Sequence, residues 1–270
     1  MDNRLIIRIS KASMAFAVAD PTAENQTLYE PFLTKSGIST AANLREAFRS
    51  ADLLNRGYQR ALLVVDTPTL LVPLQELDED ALTTLYHHTF TGYETCAIHH
   101  QVLPNLNAVV AFAVNRDLQL VVADHFADVR LAHVMQPVWA HMVSRSYIGT
   151  RRKLYAYFHD NKFDVFAFDK NRFRFANRFD ATTVNDAAYH LLHVWKTLGM
   201  DPKEDELHLA YAVSQPPTAD EQSQRQLTLD MLHRYVAKAY TINPTAELNR
   251  ARITQVKGLP FDLMLAIQKN

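Results

Sequence analysis

Three consecutive apolar-alternating segments, KLYAYFHD (153–160), FDVFAFDK (163–170) and FRFANRFD (173–180), constrain the fold more than any other stretch of the chain. They are joined through DNK and KNR, turns of a length and composition that link antiparallel neighbours, so the stretch reads as a three-stranded meander. A helix is expected next. Thr183 and Asp186 have capping-box spacing, Val184, Ala188, Leu191, Leu192, Trp195 and Leu198 share one face, and Gly199 supplies the stop. The run LHLAYAV (207–213) reads as the buried strand that follows this helix. After the loop SQPPTADEQ a long helix is expected to reach about Tyr240, with Leu229, Leu232, Val236 and Ala239 inward.

The first half of the chain follows the same order. Extended segments are expected at 4–10, 13–19 and 28–34, then a helix over about 40–55 with Leu44, Phe48 and Ala51 as its apolar stripe and Gly57 as its stop. The run ALLVVD (61–66) is the buried strand, and a second helix covers about 78–90. Matching elements lie about 145 residues apart, which predicts two α/β domains, 1–150 and 151–270, each a mixed sheet flanked by helices. A chain of 270 residues buries roughly 75% of its unfolded surface, enough for two cores.

Composition excludes several classes. A formal net charge of -1 offers no global attraction to nucleic acid or anionic membrane. No apolar run approaches the roughly 20 residues that span a bilayer, and MDNRLIIRIS lacks the apolar core of a signal peptide, so a cytoplasmic location without membrane insertion is expected. Cys96, the single cysteine, forms no internal disulfide and reads as a small buried hydrophobe.

The duplicated order, with two antiparallel hairpins before each crossover helix, and the opening LIIRISKASMAFAVAD resemble the actin-like ATPase (ribonuclease-H-like) superfamily, which includes actin, hexokinases and the Hsp70 ATPase domain. The whole chain is similar to a bacterial family of uncharacterised proteins given that fold. The resemblance implies duplicated actin-like domains and the places where a nucleotide would be held. In active members the first hairpin carries Asp-x-Gly-Ser/Thr: the aspartate organises metal and water, and the glycine lets backbone amides approach phosphate. Here the matching stretch is Ile9, Ser10, Lys11, Ala12, Ser13, with neither aspartate nor glycine. The second hairpin offers His159, Asp160, Asn161, Lys162, an acid without a glycine, and the Gly-Gly pair of the adenosine end is missing because all six glycines are isolated. If a nucleotide binds, the remaining cofactor-binding candidates are Lys11 and Ser13 on one hairpin and Asn161 and Lys162 on the other. The expectation is therefore a pseudo-ATPase with no catalytic residue, no cofactor and no metal, ATP with magnesium on non-standard phosphate loops being the alternative. Pilus-assembly members of the superfamily recruit a peptide from a membrane partner, so the resemblance implies a protein-binding scaffold with a protein partner.

Other polar groupings offer candidate sites. His87-His88, His99-His100 and the pair His190 and His193 suggest metal, yet adjacent side chains diverge and no acid or cysteine completes a motif. Asp160, Asp164, Asp169 and Asp180 suggest two-metal nuclease chemistry, but three of them fall at strand ends, where turns explain them. KNRFRFANRF (170–179) mixes Lys170, Arg172, Arg174 and Arg178 with phenylalanines, a pattern that suits single-stranded nucleic acid; strand alternation instead predicts the arginines on one face and Phe173 and Phe175 together on the other. The segment 93–102, with ETCAIHHQV at its heart, reads as an additional strand whose free edge could pair with a partner or with a second copy in a homodimer.

Overall fold

The computed structural model describes residues 3–11, 13–212 and 218–269. The chain forms two compact units, Met1–Val138 with Asp262–Asn270, and Trp139–Phe261. These bounds and the division at 150/151 drawn from the element repeat differ over 139–150 and 262–270.

In chain order the first unit holds β1 (Leu5–Ile9), β2 (Met14–Ala19), β3 (Thr27–Phe32), α1 (Thr40–Ser50), β4 (Arg60–Val65), β5 (Thr69–Pro73), α2 (Glu79–Thr89), β6 (Cys96–Leu103), β7 (Ala108–Asn115), α3 (Arg116–Ala123) and β8 (Asp128–His133). Helix α4 (Met135–Ser146) follows. The second unit continues with β9 (Lys153–His159), β10 (Lys162–Asp169), β11 (Arg172–Asp180), α5 (Val184–Thr197), β12 (Glu206–Tyr211), α6 (Ala219–His233), β13 (Ala239–Thr241) and α7 (Pro244–Glu247). Helix α8 (Phe261–Lys269) closes the described chain, and its residues from Asp262 belong to the first unit. No described helix is long and apolar enough to cross a membrane.

Each unit is built on a five-stranded sheet, ordered β3-β2-β1-β4-β8 in the first and β11-β10-β9-β12-β13 in the second. In both, the leading strand is flanked by its antiparallel hairpin partner and by a parallel strand reached through a helix: Ile7 faces Phe16 and Leu63, and Ala156 faces Val165 and Leu209. The same sheet is thus built twice, as the repeated element order predicts, and the class is α/β with mixed sheets flanked by helices. Burying β1 on both faces demands its run of apolar residues, and all five of its residues are buried. In the second unit Leu154, Ala156, Phe163, Val165, Leu191, Val194 and Leu209 form one core under α5, whose Thr183–Asp186 capping box is present.

The first unit also contains a three-stranded antiparallel sheet, β5-β7-β6. The expected additional strand within 93–102 is β6, at its edge. The apolar run AVVAFAV is β7, buried from Ala108 to Val114.

Three expectations are corrected. Helix α1 stops at Ser50, not near 55, because the Glu30 carboxylate on β3 accepts from the amides of Asp52 (3.0 Å) and Leu53 (2.8 Å). Helix α6 stops at His233, and the chain then turns into β13, which pairs with β12 through Leu207 and Ala239; Val236 and Ala239 are buried, but not as a helical stripe. The third concerns β11. Ala167 faces Phe175 while the next residue, Phe168, faces Phe173, so Arg174 is a bulge. It sends Phe175 to the α5 side and Phe173 to the other, where its ring meets Trp139 edge-on at 5.2 Å. The arginines do not form one basic face either: Arg174 donates to the Leu198 carbonyl and Arg178 to Asp164. Of the expected strand 207–213, Val213 lies outside the described residues, as do Ala12 and the loop residues 214–217.

Candidate functional site

The first hairpin turn is closed by its own side chains. Ser10 N donates to the Ser13 carbonyl (2.9 Å), Ser13 N donates to Ser10 Oγ (3.0 Å), and the two hydroxyls lie 2.9 Å apart. Two groups that would have to face a phosphate are therefore committed to each other. Beside them Arg8, buried within β1, donates Nε and Nη2 to the two carboxylate oxygens of Asp262 on α8 at 2.9 and 3.0 Å, and Nη1 to Ser13 Oγ at 3.2 Å. Asp262 is a bidentate anion supplied by the chain itself. Lys11 is exposed at the tip.

The second hairpin turns in two residues, Asp160 (φ +46°) and Asn161 (φ +59°), both left-handed, with Lys162 directly opposite His159. Asp and Asn tolerate this backbone, but they place side chains where a glycine would leave the amides bare. Asp164, one pleat further along β10, is buried: it accepts from Arg178 Nε at 3.0 Å and Nη2 at 2.9 Å, and from His159 Nε2 at 2.6 Å. Burial alone would raise its carboxyl, but the Arg178 guanidinium and the His159 hydrogen bond outweigh burial and hold it at about 2.

Beside this turn the second unit has a cleft of about 360 Å³, bounded by Asn161 and Lys162, the start of α5 at Thr183, and the α6 residues Asp220, Glu221 and Arg225. Its wall is Phe158 stacked on Tyr211 (4.8 Å), with the Arg225 guanidinium 4.5 Å above Tyr211; behind the wall Phe163 of the core stacks on Phe158 (4.9 Å). Tyr211 OH and Arg225 Nη2 are buried and have no hydrogen-bond partner among the described residues. Burial pushes the Tyr211 phenol up and the Arg225 guanidinium down. A flat ligand carrying an acceptor suits this wall. A polyphosphate does not, because Asp160, Asp220 and Glu221 outnumber Lys162 and Arg225, and both helix starts are occupied by the caps Thr183–Asp186 and Thr218–Glu221.

Of the four candidate nucleotide contacts, Lys11 and Ser13 thus belong to the first unit, while Asn161 and Lys162 border the cleft of the second. Sequence reading missed Arg8, Tyr211 and Arg225; an arginine inside the apolar strand LIIRI was the available signal for the first. The histidines are dispersed: His99 contacts Gln119 at 2.6 Å, His190 stacks on Phe179 at 4.7 Å, and His193 stacks on Tyr189. Asp169 and Asp180 are exposed at strand ends, facing Arg172 and Lys162 across the ladder.

A family model described as "Protein of unknown function (DUF3822)" matches residues 1–238. No curated protein matches the chain. Among solved structures, a Bacteroides thetaiotaomicron VPI-5482 protein with an actin-like ATPase fold and unknown function superimposes with a TM-score of 0.80 at 20% identity, covering 99% of this chain and 96% of its own. The PilM–PilN type IV pilus biogenesis complex contains a chain similar at a TM-score of 0.58 and 12% identity, with 98% and 97% covered. These likenesses establish the fold as actin-like.

Proposed function

We propose that this chain, which belongs to the DUF3822 family, is a pseudo-ATPase that serves as a non-catalytic scaffold for a protein partner. The observation that carries the reading is the first hairpin, where Ser10 and Ser13 close on each other and Asp262 occupies Arg8. Phosphate-binding hairpins work by presenting bare amides and uncommitted cations; here the Ser13 amide is bonded to Ser10 Oγ and Arg8 is paired with Asp262, which leaves Lys11 as the exposed cation at the tip. The second hairpin supports it with side chains on both left-handed positions. The pilus complex among the structural neighbours contains a chain of this fold joined to another protein, which is consistent with such a role.

The partner surface in this reading is β6. It ends the β5-β7-β6 sheet, so its outer edge has no paired strand among the described residues, and Val102 is 47% exposed on it. An extended peptide would add there as a fourth strand. A calorimetric titration with magnesium and ATP is the primary test. No saturable heat is expected, and a micromolar dissociation constant would overturn the reading. A photo-crosslinking residue at Val102, activated in the native cell, should give a discrete protein adduct; failure to form one removes β6 as the partner surface.

A further inference from the structure

Ladder register places four charged residues on one face of the five-stranded sheet of the first unit. Leu5 faces Ala61, so one residue earlier Arg4 stands beside Arg60, and Arg60 faces Asp128. Two residues further along, Ile6, Leu62 and Arg130 form the next row on that face. Arg4, Arg60 and Arg130 line a concavity of about 250 Å³ together with Asn3, Ala19 and Ile267 of α8. Its floor is built rather than incidental. The Arg4 side chain is 10% exposed, and its Nη1 donates to the Ala61 carbonyl at 2.9 Å and the Asp128 carbonyl at 3.3 Å, while Nη2 donates to the Asp128 carboxylate.

The charges in this concavity do not balance. Asp128 is the only carboxylate within ion-pair distance of these guanidiniums among the described residues, bound to Arg4 and 3.8 Å from Arg60 Nε. Three guanidiniums and one carboxylate leave two positive charges, and like charges on neighbouring strands repel. Arg60 is half-exposed and Arg130 is exposed, so their forks can turn to a ligand. Planar guanidinium forks match the oxygens of phosphate in bidentate fashion.

We propose that this concavity is an oxyanion site for a phosphate dianion, inorganic or as a small monoester, gripped by Arg60 and Arg130 over a floor fixed by Arg4. A dianion matches the two unbalanced charges, and the volume exceeds that of phosphate, leaving room for a small ester substituent. The site stands at the amino ends of β1 and β4, whereas the Ser10–Ser13 turn lies beyond the carboxyl end of β1, roughly 16 Å or more away for a five-residue strand. It is therefore independent of the hairpins on which the pseudo-ATPase reading rests.

The test uses the full chain. Inorganic phosphate, O-phosphoserine and malonate are titrated at matched ionic strength, read by thermal shift and by the side-chain Nε–Hε NMR signals of arginine. Saturable shifts are expected with phosphate, stronger than with malonate, and a stronger response to O-phosphoserine than to inorganic phosphate identifies a monoester as the preferred source. Arg60→Gln and Arg130→Gln should each weaken phosphate at least about tenfold, while Arg130→Lys, which keeps the charge and loses the fork, should fall between. Unsaturable shifts, equal affinity for malonate, or unchanged affinity in both glutamine variants would overturn the site. Because Arg60 and Arg130 reach solvent, circular dichroism of the variants is expected to match the parent, and loss of fold in Arg130→Lys would count against a ligand role for that residue.

Discussion

Replacing Asp164 by asparagine tests the electrostatics of the second unit. The substitution keeps the shape and removes the charge from a buried carboxylate that accepts from Arg178 and His159. Lowering its pKa from 3.8 to about 2 corresponds to about 2 kcal/mol of native-state stability at neutral pH. Removing one partner of a buried ion pair costs about 3–5 kcal/mol, so the loss should fall between about 2 and 5 kcal/mol. Urea unfolding followed by tryptophan fluorescence reads it locally, because Trp139 and Trp195 both belong to this unit. The sign of the pH dependence follows from the depressed pKa. The ionised carboxylate contributes fully above about 3.8, and its contribution disappears as pH falls through about 2, so parent and variant should converge in acid. A difference below about 1 kcal/mol at pH 7, or one that stays constant from pH 6 to pH 2.5, would refute the reasoning.

Two further outcomes follow from the packing. In a Trp195→Phe background, Phe173→Ala should shift the emission of Trp139, whose ring it meets edge-on, while Phe175→Ala should leave that emission in place; equal effects would mean the β11 bulge is wrongly placed. Asp262→Ala should reduce hydrogen-exchange protection across β1 by about 3–5 kcal/mol, whereas Arg8→Met combined with Asp262→Leu should cost far less, since an apolar pair avoids desolvating two charges. A double variant as unstable as the single would show that the pair does more than fill the core with matched charge.

The hairpin-and-crossover strands β1–β4 and β9–β12 were legible because they are short apolar or alternating runs that recur in the same order, punctuated by turn residues such as Asp160-Asn161; β5, β8 and β13, short and only partly buried or three residues long, carry no such pattern. The helix ends were less legible, since they depend on distant groups: nothing near Ser50 announces that Glu30 will capture the amides of Asp52 and Leu53. The overrun at α6 arose because Leu229, Leu232, Val236 and Ala239 keep a helical period by coincidence, while Tyr240 and Thr241 already carry strand preference. The bulge at Arg174 left no sequence signal, and one inserted residue reversed which faces the flanking phenylalanines occupy. At the hairpins the missing glycines were readable, but the replacement was not, because Arg8 and Asp262 are 254 positions apart.

That separation bears on how the protein is made. On a ribosome adding about 5–20 residues per second, β1 emerges long before α8, and every strand of the second unit is synthesised in the interval. The first unit cannot reach its final packing during most of its own translation, and a nascent chain stalled before residue 262 would expose β1 to chaperones with its Asp262 counter-ion not yet made.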